Sequence, residues 1–343
     1  MTHPPTGILA LNLGGPRNLD DVRPFLTRLF ADREIIRLPG GALGQRLLAG
    51  LIVRARLKSV QRNYASIGGG SPIYRHTAAQ LDGAARRLAA RLGRGFRSYV
   101  AFRYSEPTSD DALRAMAADG IHEVVVLTLY PHYSTATTGS SLRELDRALH
   151  RTGLARRFRF RVVDRWYDHP GYIDALTRRV RDALDTWPQD RRHRVVLLFS
   201  AHSLPMSFVE EGDPYPAHVA ATVSAVIRRL GADAPARCQL GYQSQTGPVR
   251  WLGPRSEHVL RDLGRAGARE VLLVPVSFVS DHIETLYEVD QLFADAARRA
   301  GITTFRRTRS LNDDPGFLDA LADIVAGALD APASEEVALC ASA

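Results

Sequence analysis

Short apolar runs alternate with longer amphipathic segments along most of the chain. Segments with helical periodicity separate the runs, which have the length and the β-branched content of buried strands. The predicted strands are 7–13, 98–104, 123–130, 158–165, 194–200, 237–243, 270–278 and 303–308. This alternation predicts an α/β fold built on parallel sheets.

The second half of the sequence repeats the first. Residues 7–16 resemble residues 195–205, since each is a strand followed by a loop that ends in proline. Residues 164–176 resemble residues 309–321, because an Asp/His-Pro-Gly helix start recurs in both. We therefore predict two similar Rossmann-like domains, each with a four-stranded parallel sheet flanked by helices, that face a central cleft.

The repeat also places the domain boundaries. The predicted domains span residues 1–168 and 169–330, and a short tail follows at 331–343. The first domain carries an insertion at about 38–72 that would form a lip at the mouth of the cleft. Within it, the apolar residues of 42–58 are flanked by basic ones, so this segment either packs on the protein's own core or lies on an anionic membrane surface.

Composition and charge narrow the range of functions. The chain has 343 residues and a formal net charge of +8, which comes almost entirely from arginine because Lys58 is the only lysine. No aromatic-rich RNA-binding signature accompanies the arginines, so no nucleic-acid partner is predicted. Cys238 and Cys340 are the only cysteines, and the N-terminus lacks a signal peptide pattern, so we expect a cytoplasmic protein.

The segment 280–290, which reads SDHIETLYEVD, is the most informative stretch of the chain. In an α-helix, Asp281, Glu284 and Glu288 would share one face at i, i+3 and i+7, with no basic partner. Because like charges one turn apart repel each other, a cation, a proton or a basic ligand is expected to balance them. The segment directly follows a predicted strand, where α/β proteins place their sites.

His202 is expected at the same edge of the sheet. It follows the strand at 194–200, and the carboxyl ends of parallel strands meet at one edge. A histidine beside unpaired carboxylates is typical of a proton acceptor, with a pKa near the pH at which the protein works. We therefore predict this role for His202. The sequence lacks GxGxxG, GxxxxGK[ST], GxSxG and HExxH, so nucleotide binding, serine hydrolysis and zincin chemistry lose support.

Five long motifs resemble those of the ferrochelatases, which insert ferrous iron into a porphyrin to make haem. The motifs are LNLGGP, YPHYSTATTGSS, SAHSLP, YQSQTGPVRWLGP and SDHIETLYE, and the likeness runs from about residue 6 to residue 330. It is closest to the branch that uses protoporphyrin IX, because Leu13 stands where the coproporphyrin branch typically has tyrosine. The resemblance implies a chelatase-type fold and a ferrochelatase activity that releases two protons.

The resemblance also implies roles for individual residues. His202 matches the histidine on which activity depends and Glu284 its acidic partner, so these two would carry the catalysis and meet the iron. Asp281, His282 and Glu288 match a helix, often with a π-type turn, that lines a proton or metal path. Porphyrin contacts would come from Leu13, Arg56, Tyr64, Arg103, Tyr130, Ser244, Trp251 and Phe278.

The sequence departs from that of the eukaryotic ferrochelatases at the positions that hold a cofactor. Some relatives hold a [2Fe-2S] cluster with one cysteine in the YPHYS loop and three in a C-terminal extension. Here Thr135 stands in the loop and the tail offers only Cys340, so no cluster is expected. The expected partners are protoporphyrin IX and Fe²⁺ as substrates, with peripheral attachment to the inner face of the cell membrane through 42–58 and the oligomeric state left open.

Three other functions stay open at this stage. The same chemistry on coproporphyrin III is one, and a cobalt or nickel chelatase for a sirohydrochlorin-like ring is another. Those rings carry more carboxylates, so a basic rim would favour them and an apolar lip favours protoporphyrin. The third is a two-domain protein that carries haem or a metal without catalysis, which would not need a base opposite acidic residues.

Overall fold

The computed structural model describes residues 4–36 and 38–333, so Cys340 lies outside the described residues. The chain divides into two compact units. The second unit is Trp166–Ala320, and the first comprises the chain up to Arg165 together with the chain from Leu321 onward. The sequence placed the boundary at residue 168.

The first unit is built on a parallel sheet with the strand order β2-β1-β3-β4. Its strands are β1 Thr6–Asn12, β2 Phe96–Phe102, β3 Glu123–Thr128 and β4 Arg159–Val163. Its helices are α1 Val22–Ala31, α2 Gly41–Ala65, α3 Ile73–Leu92, α4 Ser109–Ala118 and α5 Ser140–Thr152, with a short π-helix at Thr135–Gly139.

The second unit repeats this topology with the strand order β6-β5-β7-β8. Its strands are β5 Val196–His202, β6 Arg237–Gln243, β7 Glu270–Pro275 and β8 Thr304–Arg307. Its helices are α6 Pro170–Leu184, α7 Met206–Glu210, α8 Tyr215–Leu230, α9 Ser256–Arg265 and α10 Ala294–Arg299, with a second π-helix at Glu284–Phe293. Helix α11, Pro315–Leu329, begins in the second unit and ends in the first.

The predicted fold class is confirmed by these two four-stranded parallel sheets. Each sheet buries its central strands between helices, and all seven residues of β1 and all six of β7 are buried. In the second unit, Leu198 and Leu273 of the sheet pack with Leu260 and Phe293 of the flanking helices. Each such side chain contributes about 1.5–3 kcal/mol through burial.

The strand order fixes where a ligand can bind. In the second sheet β5 has β6 on one side and β7 on the other, so the chain runs from β5 to β6 in one direction and then crosses back past β5 to β7. A crevice opens at such a switch point, outside the carboxyl ends of the strands. His202 is the last residue of β5, and the segment that leads from β7 to the second π-helix starts at the same edge.

Helix α2 contains the 42–58 segment and presents an apolar ridge to solvent. Leu43, Leu47 and Leu51 follow one another at intervals of four residues and are 73%, 63% and 64% exposed. The other side of the helix is held by Gln45, whose side-chain amide donates to the carbonyl oxygens of Phe30 and Ile36 at 2.7 and 2.8 Å. One side of α2 therefore packs on the protein and the leucine ridge stays exposed, so attachment to a membrane surface stays a prediction.

A close contact in the second unit depends on a glycine. A Cβ atom at Gly264 in α9 would lie 2.1 Å from the carbonyl oxygen of Ala300, which follows α10. Gly50 in α2 has no atom within 4 Å of the same position. Helix α9 can therefore pack against this backbone only because residue 264 has no side chain.

Gly264→Ala is expected to lower the free energy of unfolding by about 1–3 kcal/mol, because the added methyl group forces the helix and the Ala300 backbone apart. Gly50→Ala is the matched control and should raise it by about 0.5–1 kcal/mol. Urea denaturation of both variants and the wild type checks this prediction. Equal effects at the two sites would contradict the close packing.

Candidate active site

His202 has its side chain fixed by the backbone of the next residue. Its Nδ1 atom lies 2.5 Å from the carbonyl oxygen of Ser203. A carbonyl oxygen only accepts hydrogen bonds, so Nδ1 of His202 is the donor in this contact. Nε2 lies 3.7 Å from Oε1 of Glu284. The histidine therefore presents its Nε2 atom to a carboxylate.

The backbone of His202 is held by two hydroxyl groups. Its N–H donates to Oγ of Ser277 at 2.9 Å, and the Tyr215 hydroxyl donates to its carbonyl oxygen at 2.9 Å. The two hydroxyl oxygens are 2.7 Å apart. Burial raises the pKa of Tyr215, so its phenol stays protonated and keeps donating. Neither Ser277 nor Tyr215 was identified from the sequence, although Tyr215 lies in the proline-rich stretch GDPYP.

Glu284 and Glu288 converge on Ser244, which follows β6. The Ser244 hydroxyl lies 2.9 Å from Oε2 of Glu284 and 2.5 Å from Oε2 of Glu288. The backbone N–H of Ser244 donates to the other oxygen of Glu288 at 2.8 Å. Since one hydroxyl has one proton, it can donate to only one carboxylate at a time.

The backbone of Ser244 is turned to make these contacts. Its φ is +66°, in the left-handed region that residues with a side chain adopt at a cost. In this conformation both the N–H group and the hydroxyl group face Glu288. Glycine would adopt the turn without strain but would supply only the N–H donor.

The pKa of Glu288 is raised above that of an ordinary glutamate. Burial raises its pKa and the neighbouring charge of Glu284 raises it further, whereas the hydrogen bonds from Ser244 lower it. Gln243 adds a donor, since its amide nitrogen lies 3.2 Å from Oε2 of Glu288 and its amide oxygen accepts from Ser200 at 2.7 Å. Gln243 lies in the quoted motif YQSQTG, but its amide was not identified as part of the site from the sequence.

Asp281 has a basic partner, which the sequence did not predict. It lies before the second π-helix, and Arg307 binds its Oδ1 atom at 3.1 Å. Ser310 and Asn312 donate to the same carboxylate at 2.7 and 2.8 Å. Burial raises the pKa of Asp281, but Arg307 and the hydrogen bonds outweigh burial and hold it below its usual value. The prediction of three carboxylates on one face with no basic partner is therefore wrong for Asp281.

His282 and Phe278 lie on the approach to the second π-helix. The centre of the Phe278 ring lies 4.5 Å from the centre of the His282 ring. It lies 6.3 Å from the centre of the His202 ring, and these two rings meet edge to face. Nδ1 of His282 lies 3.0 Å from the carbonyl oxygen of Ser280. Burial lowers the pKa of His282, although Glu284 and the bond to Ser280 oppose this shift. The ring is therefore held neutral beside the carboxylates.

The remaining predicted porphyrin residue of the second unit is Trp251, which is half-buried. Its indole N–H donates to the carbonyl oxygen of Thr246 at 2.9 Å. Residue 251 also forms an isolated antiparallel bridge with Pro205, in the loop that follows His202. The structure therefore brings the loops after β5 and β6 together, as expected for neighbouring strand ends.

Three predicted residues lie at the carboxyl edge of the first sheet. They are Leu13, Arg103 and Tyr130, which follow β1, β2 and β3 directly or within two residues. Arg103 is engaged by Asp32 at 2.5 Å and by Glu144 at 3.6 Å. The Tyr130 hydroxyl lies 3.4 Å from that of Ser141.

The other two predicted residues are on helix α2. Arg56 is exposed, and its guanidinium carbon lies 5.9 Å from the centre of the Phe30 ring. Tyr64 is buried, with only 3% of its surface exposed. The two therefore have different environments, although the resemblance predicts a porphyrin contact for both.

The chain is similar to known proteins over nearly its whole length. The family model described as Ferrochelatase matches residues 5–329. The ferrochelatase of Geotalea daltonii is 48% identical over 320 residues, which cover 93% of this chain and 97% of the relative. The chain belongs to the ferrochelatase family. The mitochondrial ferrochelatase of Xenopus laevis is 44% identical over 94% of this chain and 78% of its own.

Ferrochelatases are metal chelatases that insert iron into a porphyrin for haem synthesis, so Fe²⁺ is a substrate of this family. A solved structure titled as SirB from Bacillus subtilis with Fe³⁺ has a similar fold, with a TM-score of 0.53 at 12% identity, covering 95% of this chain and 96% of that one. Across residues 4–36 and 38–333, no helix combines the length and apolar character that crossing a membrane requires.

One histidine and one carboxylate face each other at the carboxyl edge of the second sheet. Within the described part of the chain, no group of three or more His, Cys, Asp or Glu side chains could hold a metal ion. His202 and Glu284 form a pair with one nitrogen and one oxygen facing each other. Imidazole and carboxylate are both ligands that ferrous iron accepts.

Glu288→Gln is expected to stabilise the protein at neutral pH. The folded pKa of Glu288 lies above its ordinary value of 4.5, so below that pH both states are protonated and no penalty arises. As pH rises past 4.5 the unfolded state releases the proton first, and the stability of the wild type falls relative to that of the variant.

Denaturant unfolding at a series of pH values measures this difference. Asp82→Asn, which changes an exposed carboxylate on α3, is the control and should leave the pH dependence as in the wild type. A Glu288→Gln variant that gains stability equally at acidic and neutral pH would rule out the altered acidity as the cause.

Proposed function

We propose that this protein inserts Fe²⁺ into protoporphyrin IX, with His202 as the proton acceptor and Glu284 as its partner in iron delivery. The observation that carries this proposal is the position of Nε2 of His202, which the contact of Nδ1 with Ser203 fixes 3.7 Å from the Glu284 carboxylate. A free-base porphyrin must lose two pyrrole protons before iron can bind its four nitrogens. A fixed imidazole is a side chain that can accept such a proton.

The hydrogen bonds around Glu284 supply a route for the released protons. From Nε2 of His202 the next acceptor is Glu284, then the hydroxyl of Ser244, and then Glu288. A hydroxyl both donates and accepts, so Ser244 can pass a proton between the two carboxylates. Glu288 is suited to receive it because burial and Glu284 raise its pKa. His282, predicted to belong to this path, lies next to it with a neutral ring.

The same pair is suited to transient contact with iron. Two protein ligands leave most of the coordination sphere open, so the ion can move on to the four nitrogens of the ring. A closed cage would retain it instead. We therefore assign His202 and Glu284 as the residues that meet the iron. Asp281 is not assigned a mobile role here, because its carboxylate is already bound by Arg307.

Protoporphyrin contacts in the second unit are proposed for Phe278, Trp251 and Ser244. Phe278 and Trp251 are half-buried aromatic side chains next to the loop of His202, so they can pack on a flat apolar ring. The contacts of Leu13, Arg56, Tyr64, Arg103 and Tyr130 stay predictions from the resemblance. Leu13 and the apolar ridge of α2 support protoporphyrin over coproporphyrin III.

His202→Ala is expected to lower the rate of iron insertion by about 10²-fold or more, because it removes the general base. Porphyrin binding should be retained, since the apolar contacts are unchanged. Anaerobic assays with Fe²⁺ and either protoporphyrin IX or coproporphyrin III, followed by absorbance, measure the rate. Porphyrin fluorescence measures binding.

His193→Ala, which changes an exposed histidine in a short turn of the second unit, is the matched control and should keep wild-type activity. A wild type that binds porphyrin but inserts no metal would favour the carrier function. Faster insertion into coproporphyrin III would make the choice of substrate wrong. A His202→Ala variant with wild-type activity would remove the base from this assignment.

We also propose that helix α2 attaches the protein to an anionic membrane surface on the cytoplasmic side. Its exposed ridge of Leu43, Leu47 and Leu51 can enter the acyl region, while the flanking Arg54 and Lys58 meet the lipid phosphates. Such a surface would bring the protein close to an apolar substrate dissolved in the bilayer.

Replacing Leu43, Leu47 and Leu51 together by serine is expected to weaken vesicle binding at least about tenfold, because each leucine adds about 1.5–3 kcal/mol when buried. Sedimentation with vesicles of phosphatidylcholine and phosphatidylglycerol measures this. Leu92→Ser, at an exposed leucine of α3, is the control. Unchanged binding of the triple variant would exclude α2 as the attachment site.

A further inference from the structure

Arg307 makes two ion pairs with the chain around the second π-helix. It is the last residue of β8, and only 11% of its side chain is exposed. Its Nε and Nη2 atoms donate to the two oxygens of Asp290 at 2.7 and 2.8 Å. Its Nη1 atom donates to Asp281 at 3.1 Å. One guanidinium thus binds the chain just before the π-helix and again in the helix's second half.

A π-helix needs such support from outside. Its wide turn, with hydrogen bonds from residue i to i+5, is rare in proteins and usually limited to a single turn. Here it extends over the ten residues Glu284–Phe293. The two residues bound by Arg307 enclose Glu284 and Glu288 between them, and these are the side chains that converge on Ser244. The position of both carboxylates therefore depends on the path of the backbone between the two ion pairs.

The geometry of Arg307 suits this task better than that of a lysine. A guanidinium is planar and can donate to a carboxylate through two parallel N–H groups while a third donor points elsewhere. The fork on Asp290 sets the orientation of the plane, and Nη1 is then directed at Asp281. A lysine carries one charged atom and cannot hold both carboxylates in fixed directions.

We propose that Arg307 is a positioning residue for iron delivery, because its bonds to Asp281 and Asp290 hold the π-helix in the form that aims Glu284 and Glu288 at Ser244. This inference rests on the proposed function, in which Glu284 meets the iron. It assigns Asp281 an anchoring role. Arg307 itself acts only through the helix.

The expected effect is selective for one substrate. Glu284 and Glu288 lie inside the segment held by Arg307, whereas Phe278 and Trp251 lie outside it. Loosening the helix should therefore weaken the encounter with iron and leave the packing of the porphyrin ring unchanged. A general loss of stability would instead lower the amount of active protein without separating the two KM values.

Asp290→Asn and Arg307→Lys are the test variants, because each removes the fork and keeps a cation at position 307 beside Asp281. We expect the KM for Fe²⁺ to rise at least about fivefold in each, with the KM for porphyrin within about twofold of the wild type. Hydrogen exchange of the peptide 281–293 should accelerate in both variants. Asp290→Glu keeps a carboxylate and should restore most of the wild-type KM for Fe²⁺.

Arg229→Met is the matched control. Arg229 makes a similar fork on Asp174, with Nε and Nη2 donating to its two oxygens, between helices α8 and α6 of the same unit. Its loss should change neither KM value nor the exchange of 281–293. Thermal unfolding of every variant fixes an assay temperature at which all are folded.

Two results would overturn the proposal. Faster exchange of 281–293 with an unchanged KM for Fe²⁺ would mean that Arg307 stabilises the helix without affecting iron delivery. Unchanged exchange would mean that it does not hold the helix. A wild type that inserts no iron into any porphyrin would instead contradict the proposed function, and the exchange measurement would still show whether Arg307 holds the helix.

Discussion

Glu284 and Glu288 share the hydroxyl group of Ser244, and much of the second unit serves to keep these two carboxylates close together. Two negative charges at this separation repel each other strongly in a half-buried site. Burial and this repulsion raise the pKa of Glu288, so this carboxyl holds a proton more readily than an ordinary one. The amide of Gln243 and the backbone N–H of Ser244 supply further positive dipoles. The negative charge that remains attracts a proton or a cation.

The duplicated sheets show how little of the scaffold has to change for one edge to carry the reactive groups. The last residue of β1 is Asn12, whose side chain donates to Thr77 and accepts from the N–H of Leu13, so it is a structural amide. The last residue of β5 is His202, whose ring faces Glu284. Both strands are central and bounded by neighbours in the same order. The fold therefore supplies the position, and the residue at the strand end supplies the chemistry.

Sequence patterns predicted the eight strands, their parallel order and the meeting of His202 with the acidic segment, because parallel strands gather their carboxyl ends at one edge. They failed for Asp281 for a definite reason. The spacing argument assumed an α-helical period, whereas the segment from Glu284 is a π-helix that Asp281 precedes. The partner of Asp281 is Arg307, which is 26 positions away on β8. The resemblance to the ferrochelatases pointed to a π-type turn in this helix, but the ion pair between Asp281 and Arg307 joins two distant elements and has no local signature in the sequence.

The charges of the first unit bear on the choice of porphyrin. Arg103 is bound by Asp32 and Glu144, and Glu144 also pairs with Arg147 and Arg151. A substrate carboxylate that approached Arg103 would have to compete with ion pairs already formed inside the protein. A ring with many carboxylates would need several basic groups that are not so engaged, whereas an apolar ring with two propionates needs few. The solvent-exposed leucine ridge of α2 points in the same direction, because it gains free energy only against an apolar surface. The ion pairs of Arg103 and the exposed leucines of α2 are consistent with the protoporphyrin substrate proposed above.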